Sequence, residues 1–205
     1  MDKILFEGMI ISIQPRIRLL RSFDQASHSY LGYALVVLDK EREQALSIGI
    51  GVGAQEKHQF RVGSTISGAC SPVLDPDRES VGYYRASQLK KLSEEPVDPS
   101  TPPWKIVPPP IAVYRERGPR RLSAKTYESK CLSCIWGCKM AVEIIIDQWN
   151  PRKKKYRVET FCYGPKNCKL YASGPIRRVP GRNGMVYEEE DWVDEMLTSH
   201  REEDE

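Results

Sequence analysis

No apolar run in the 205-residue chain approaches the ~20 residues that a membrane-spanning helix needs. The opening, MDKILFEGMII, lacks the cationic start, long apolar stretch and small-residue cleavage site of a secretion signal. The HExxH of zinc peptidases, the GxSxG of serine hydrolases and the phosphate-binding Gly-Lys loop are all missing. Ile50-Gly51-Val52-Gly53 alternates glycine but has no third glycine for a dinucleotide loop. Histidine is scarce, and His28, His58 and His200 lie far apart in sequence. No carboxylate pair or nucleophile–base set emerges, so no catalytic residue is assigned. What remains is ordinary for a folded soluble protein, with 40% hydrophobic and 29% charged residues. The cytoplasm is the expected compartment.

The net charge of +3 conceals a strong asymmetry. Residues 1–110 are neutral, with 13 basic and 13 acidic side chains. Residues 111–182 carry 17 basic and 5 acidic side chains, and residues 183–205 carry 1 basic and 10 acidic. The middle segment is therefore at +12 and the tail at −9. A basic segment of this density attracts polyanions by counterion release. The alternative is a solvated basic face neutralised by the tail, which would then compete with nucleic acid for that surface.

The first 93 residues read as short strands. Met9, Ile11, Ile13, Ile17 and Leu19 are apolar while Ser12, Gln14, Arg16 and Arg18 are polar, the period of a strand with one buried face. Pro15 marks a bend or an edge. Tyr30–Leu38 and Gln44–Gly51 flank a polar turn, a hairpin signal. A helical turn is expected over Ala54–Gln59, then a strand through Val73, an Asp/Pro turn and a last strand over Gly82–Leu92. Five strands with a short helix between the third and fourth resemble an OB-fold. Phe60–Gly68 resembles the entry of its fourth strand, and Val81–Leu89 its closing strand. The expected architecture is mainly β: an OB-like five-stranded barrel, a cysteine-rich hairpin module and a short C-terminal helix.

Between Glu94 and Pro110 stand seven prolines, the expected linker. Trp104, Ile106 and Val107 should pin it against one module. In the second module, residues 111–182, Ile111–Arg115 reads as a strand. Ala141–Trp149 and Tyr156–Tyr163 read as a hairpin with a basic tip at Arg152–Lys155. Trp192, Val193, Met196 and Leu197 fall at helical spacing near the end, and residues 201–205 should fray.

Five of the six cysteines lie between 131 and 168: Cys131-x2-Cys134-x3-Cys138, then Cys162-x5-Cys168. Clustering of this kind without a secretion signal points to a metal rather than to disulfides. The set resembles a zinc ribbon, although its second pair is spaced by five residues rather than two. A turn near 152–153 would put Cys138 across from Cys168, giving Cys131, Cys134, Cys138 and Cys168 as ligands with Cys162 in reserve. Zinc is the favoured metal; three cysteines in eight residues plus a distant fourth would also hold a [4Fe–4S] cluster. Nearby Lys130, Lys139, Lys166 and Lys169 are expected to keep the thiols ionised. Cys70, in GACSP, reads as a small buried hydrophobe.

An OB-like barrel with aromatic and arginine side chains points to single-stranded or structured DNA or RNA as the partner. The candidate contacts are Arg16, Arg18 and Arg21 on the first strand, Tyr30 and Tyr33 on the second, and Tyr83, Tyr84 and Arg85 on the last. Arg117, Arg120 and Arg121, with Arg152, Lys153, Lys154 and Lys155 at the hairpin tip, complete the set. Two other readings are an iron–sulfur protein that transfers electrons or senses redox state, and an accessory subunit whose barrel binds protein.

Overall fold

The computed structural model describes residues 3–23, 25–98 and 100–202. It is mainly β, and its organising element is one long strand, β1 (Ile4–Ser22). Period-2 alternation sends Ile13, Ile17 and Leu19 into a dry core and Ser12, Gln14, Arg16 and Arg18 to the opposite face. Before the register shift at Ile10/Ser12 it is Phe6, Gly8 and Ile10 that point inward, so Met9 and Ile11, expected on the buried face, are only half-buried. β1 pairs along most of its length with β2 (Gln25–Asp39), which in turn pairs with β3 (Ala45–Ile50). β4 (Ser64–Pro72) pairs with the first part of β1, from Ile4↔Cys70 to Met9↔Thr65. β5 (Tyr83–Glu94) pairs with β4 and meets β3 through Ile48↔Tyr83, which closes a five-strand ring. Register shifts at Ile10/Ser12 and at Arg16/Ile17 mark bulges, which bend the β1–β2 ribbon around the barrel.

The expected helix between the third and fourth strands is α1 (Val52–His58). Ile10, Ile13, Leu35, Ile48, Phe60 and Ile66 are fully buried inside the ring. The expected proline linker is tied down on the barrel. Tyr33 donates its hydroxyl to Pro109 O (2.7 Å), Ile135 N–H donates to Trp104 O (2.9 Å), and Trp104 and Ile106 pack on the core.

β7 (Gly137–Ile145) pairs in parallel with the later part of β1, Arg18↔Ala141 to Arg21↔Ile144, which β4 leaves free. With β8 (Lys154–Cys162) and the two-residue β6 (Arg120–Arg121), the sheet grows to eight strands. The composition break at the prolines is therefore not a break in hydrogen bonding. Three small elements complete the fold: a hairpin of β9 (Arg177–Pro180) and β10 (Val186–Glu189), and helix α4 (Asp191–Thr198).

Several expected elements differ. Residues Ile111–Arg117 form a helix, α2, rather than a strand. Pro110 before it and Gly118 after it, at φ +70°, are helix start and stop residues, and Ile111 and Tyr114 share its buried side. The hairpin strands begin and end earlier than expected, because Asp147 starts the turn. Its side chain accepts Trp149 N–H (3.0 Å) and its carbonyl accepts Asn150 N–H (3.0 Å). α4 turns Val193, Asp194 and Thr198 inward and leaves Trp192 and Met196 about half exposed. Arg201, expected to fray, is buried and donates to Tyr163 O and Gly164 O (both 3.2 Å). Residues 203–205 of that expectation lie outside the described residues.

Candidate metal centre and nucleic-acid interface

The first cysteine pair sits where helix α3 (Ala124–Thr126) runs into a π-helical turn, Tyr127–Cys131. Cys134 N–H donates to Cys131 O and Gly137 N–H to Cys134 O (both 3.1 Å), folding Cys131–Gly137 into a compact knuckle. The second loop follows β8. Gly164 N–H donates to Cys162 Sγ (3.3 Å), and Cys168 N–H donates to Pro165 O (3.2 Å). Cys131, Cys134 and Cys162 share one apolar cluster with Leu122 and Tyr127, bordered by Trp104, Trp136 and Tyr171. Cys168 stands at its edge, partly exposed, within electrostatic reach of Cys131 and Cys162.

Cys138 is not with them. In the β7–β8 ladder Gly137 faces Cys162, so Cys138 faces Phe161. Neighbouring positions on a strand point to opposite faces. Cys162 therefore joins the knuckle, while Cys138 enters the barrel core, where its thiol donates to Pro15 O (3.3 Å). The structure thus puts Cys131, Cys134 and Cys162 in one cluster with Cys168 at its edge, the reserve cysteine standing in place of Cys138. Cys70 is buried in β4, as expected of a small hydrophobe.

The thiols are not kept ionised by the surrounding lysines. Burial, aided by Cys162 and Cys168, pushes the Cys131 thiol up to about 11, and Lys130 opposes this only in part. Burial also pushes Cys134 up to about 12 and raises Cys162. Desolvation of a charged sulfur outweighs a distant ammonium. Among the described residues, no three or more Cys, His, Asp or Glu side chains have the geometry of a metal site. The donor set nonetheless fits a soft divalent ion: four sulfurs from two loops, with a tetrahedron's worth of ligands and no oxygen. The Gly164 N–H donates to Cys162 Sγ (3.3 Å), and backbone hydrogen bonding from Trp136 and Trp104 offsets part of the upward push on Cys134. Such donors favour thiolate over thiol. Arg120, beside Cys162, supplies positive charge toward a centre that four thiolates and Zn2+ would leave at −2.

Gln14 locks the knuckle to the barrel. Its buried amide donates to the carbonyls of Cys131, Leu132 and Cys134 (2.9–3.0 Å) and accepts Tyr127 OH (2.7 Å). Ser12 Oγ donates to Leu132 O (2.5 Å). Gly137 is required here, since a Cβ would lie 2.6 Å from Gln14 Nε2 and 2.8 Å from Cys131 O. The alternation of β1 marked Gln14 as a polar outer-face residue but gave no sign of its partner.

The expected nucleic-acid contacts divide into two groups. Most are occupied internally. Arg21 is buried and pairs with Glu189 (2.8 Å) and Glu159 (3.3 Å). Arg121 is fully buried and pairs with Asp194 (2.9 Å) and Asp191. Arg120 clasps the second cysteine loop through Pro165 O (2.9 Å) and lies over the Tyr171 ring. Arg117 donates to Tyr163 O (2.6 Å) and lies over Trp136. Arg16 and Arg18 reach the outer face but both hold Glu79 at 2.6 Å. Tyr33 is buried, and Tyr30 is half-buried beneath Arg115. Tyr83 and Tyr84 are half-buried, with the exposed Arg85 over Tyr84. Lys154 pairs with Glu143.

The tip residues Arg152, Lys153 and Lys155 are exposed. On the sheet face that bears Lys139 lies a cleft of about 450 Å3 between barrel and hairpin, lined by Ser12, Ala34, Val36, Ser47, Lys139 and Thr160 and walled by Tyr127, Glu128 and Leu132. No family model, curated protein or solved structure matches the chain.

Proposed function

We propose that the protein binds single-stranded nucleic acid across the outer face of this sheet, with a structural metal held by Cys131, Cys134, Cys162 and Cys168. The ring order β1-β2-β3-β5-β4-β1 with α1 between β3 and β4 supports the OB-like reading. The observation that carries the function is the distribution of cations. The acidic tail folds back and neutralises the internal arginines, so the +12 of the second module does not all face solvent. Lys139 in the cleft, Lys125 and Lys130 on the helix beside it, and Arg152, Lys153 and Lys155 at the tip are exposed. Among the described residues they make no ion pair. Lysines and arginines left without acidic partners around this cleft and at the hairpin tip are what a phosphate backbone meets.

In this reading the metal is structural. A four-thiolate site leaves no position for an activated water. It would fix the knuckle that walls the cleft, through the carbonyls that Gln14 gathers. Fluorescence anisotropy with labelled single-stranded DNA, single-stranded RNA and duplex, across a salt series, tests the function. Affinity for a single strand should fall steeply with salt, by a log–log slope of about −0.7 per phosphate contacted. Absence of binding at low salt overturns the reading. Elemental analysis with an absorption spectrum tests the centre. A colourless protein with zinc supports it, and a broad band near ~400 nm would replace zinc by an iron–sulfur cluster.

A further inference from the structure

The most exposed large hydrophobic side chain on the described surface is Trp149, 86% exposed on the β7–β8 turn. A tryptophan held in water forfeits the burial that a folded chain normally obtains from its largest apolar residue. The turn presenting it is well built. Asp147 accepts the N–H groups of Trp149 and Asn150 at 3.0 Å, and Lys153 N–H donates to Asn150 O at 2.9 Å. The same turn carries Arg152 and Lys153, and Lys155 follows on the return strand, all exposed and without ion pairs among the described residues. The turn's own carboxylate, Asp147, accepts Trp149 N–H and faces Arg182 at 3.8 Å. At the foot of the turn a groove of about 420 Å3 runs between Leu20, Ser22, Gln25 and Ser27 on one side and Gln148 and Pro151 on the other. Leu20 and Ile145 place it on the sheet face that also bears Lys139.

We infer that Trp149 is a base-stacking finger: one unpaired base of a single strand stacks on its ring, Arg152, Lys153 and Lys155 hold the adjoining phosphates, and the strand continues into the groove. Stacking needs an open π-face, and the cations supply the charge complement of a phosphodiester. Duplex bases are already stacked, so the finger selects single strands. A membrane surface fits less well, because Trp149 is flanked by Gln148, Asn150 and Pro151 rather than by further large apolar residues.

This inference rests on the proposed nucleic-acid function, and the experiment separates the two. Binding of a labelled oligothymidylate of about 15 nucleotides is compared for the unsubstituted protein, Trp149→Ala, Trp149→Phe and the triple Arg152→Ala/Lys153→Ala/Lys155→Ala. Trp149→Ala should weaken binding about tenfold with little change in salt slope, and Trp149→Phe should recover part of the loss. The triple variant should lower the salt slope by about two units. Since all four side chains are exposed, the variants should fold. Salt-dependent binding that Trp149→Ala leaves unchanged overturns the finger while the function stands. No binding by the unsubstituted protein overturns both. Loss confined to anionic phosphatidylserine vesicles, with oligonucleotide binding intact, overturns the finger in favour of a membrane contact.

Discussion

Replacing Cys162 and Cys138 in turn tests the register on which the proposed metal centre depends. The two residues are one position out of step across the β7–β8 ladder, so they face opposite sides of the sheet. Cys138→Ala removes one fully buried sulfur from the barrel core. Loss of a group the size of a methylene costs about 1 kcal/mol, a little more if the cavity does not close. For a chain of this size that lowers the melting temperature by about 2–4 °C. Metal content should not change. Cys162→Ser removes a ligand from a site whose metal would contribute on the order of 10 kcal/mol of folding free energy. That is comparable to the whole net stability of a typical domain. The variant should therefore lose its metal and melt far lower, or lose the fixed structure of the second module. Zinc per chain is read with a chromogenic chelator after thiol modification, beside thermal melts by circular dichroism. Metal lost from Cys138→Ala and kept by Cys162→Ser would refute the register argument. An unsubstituted protein purified without metal would refute the centre.

Gln14→Leu should lower stability by about 2–4 kcal/mol in urea titrations, because it strands the Tyr127 hydroxyl and the knuckle carbonyls in a dry site. Asp194→Ala should cost about 3 kcal/mol by leaving the buried Arg121 guanidinium short of a partner; Asp191 still faces it and holds the loss at the low end. Chemical denaturation of that variant gives the number directly. Burial, with the Arg21 charge beside it, holds His28 below its ordinary 6.5, against the opposing pull of Glu189 and Glu159. The unfolded chain then takes up this proton first. The stability carried by a neutral His28 is present above about pH 6.5 and is lost as pH falls through its lower folded value. Urea midpoints from about pH 7.5 to about pH 5 should decline, and His28→Asn should flatten that part of the decline.

Much of the barrel was legible because its signals are local. The alternation in β1 needs no knowledge of any partner strand, and the strand count with one helix after the third constrains the ring. Trp104 in the proline stretch likewise announced an anchored segment. The cysteine assignment failed at one specific point. A turn near 152–153 puts Cys138 opposite Cys168, whereas the observed pairing of Gly137 with Cys162 centres between Trp149 and Asn150. Register depends on turn chemistry, here the side chain and carbonyl of Asp147, and an odd displacement exchanges the two faces. The arginines failed for a different reason. Arg121 and Arg21 read as surface cations until Asp194 and Glu189, far along the chain, fold back on them. Long-range ion pairing leaves no periodic trace in a sequence.

The placement of Gln14 gives β1 a double role that follows from its length and alternation. Its inward residues build the barrel core, and its outward residues hold the cysteine knuckle by its carbonyls. The knuckle residues Tyr127 and Leu132 are in turn walls of the cleft that Ser12, Ala34 and Ser47 floor. A change at the sulfurs is therefore felt in the cleft through the Gln14 amide, through Ser12 on Leu132 O, and through Tyr127 and Leu132 themselves. Closing four thiolates around a metal would fix the knuckle carbonyls, and those fix Gln14 and Tyr127. Ile135 of the knuckle packs in the barrel core and Trp104 borders both buried clusters, so barrel and knuckle are joined by packing as well as by hydrogen bonds.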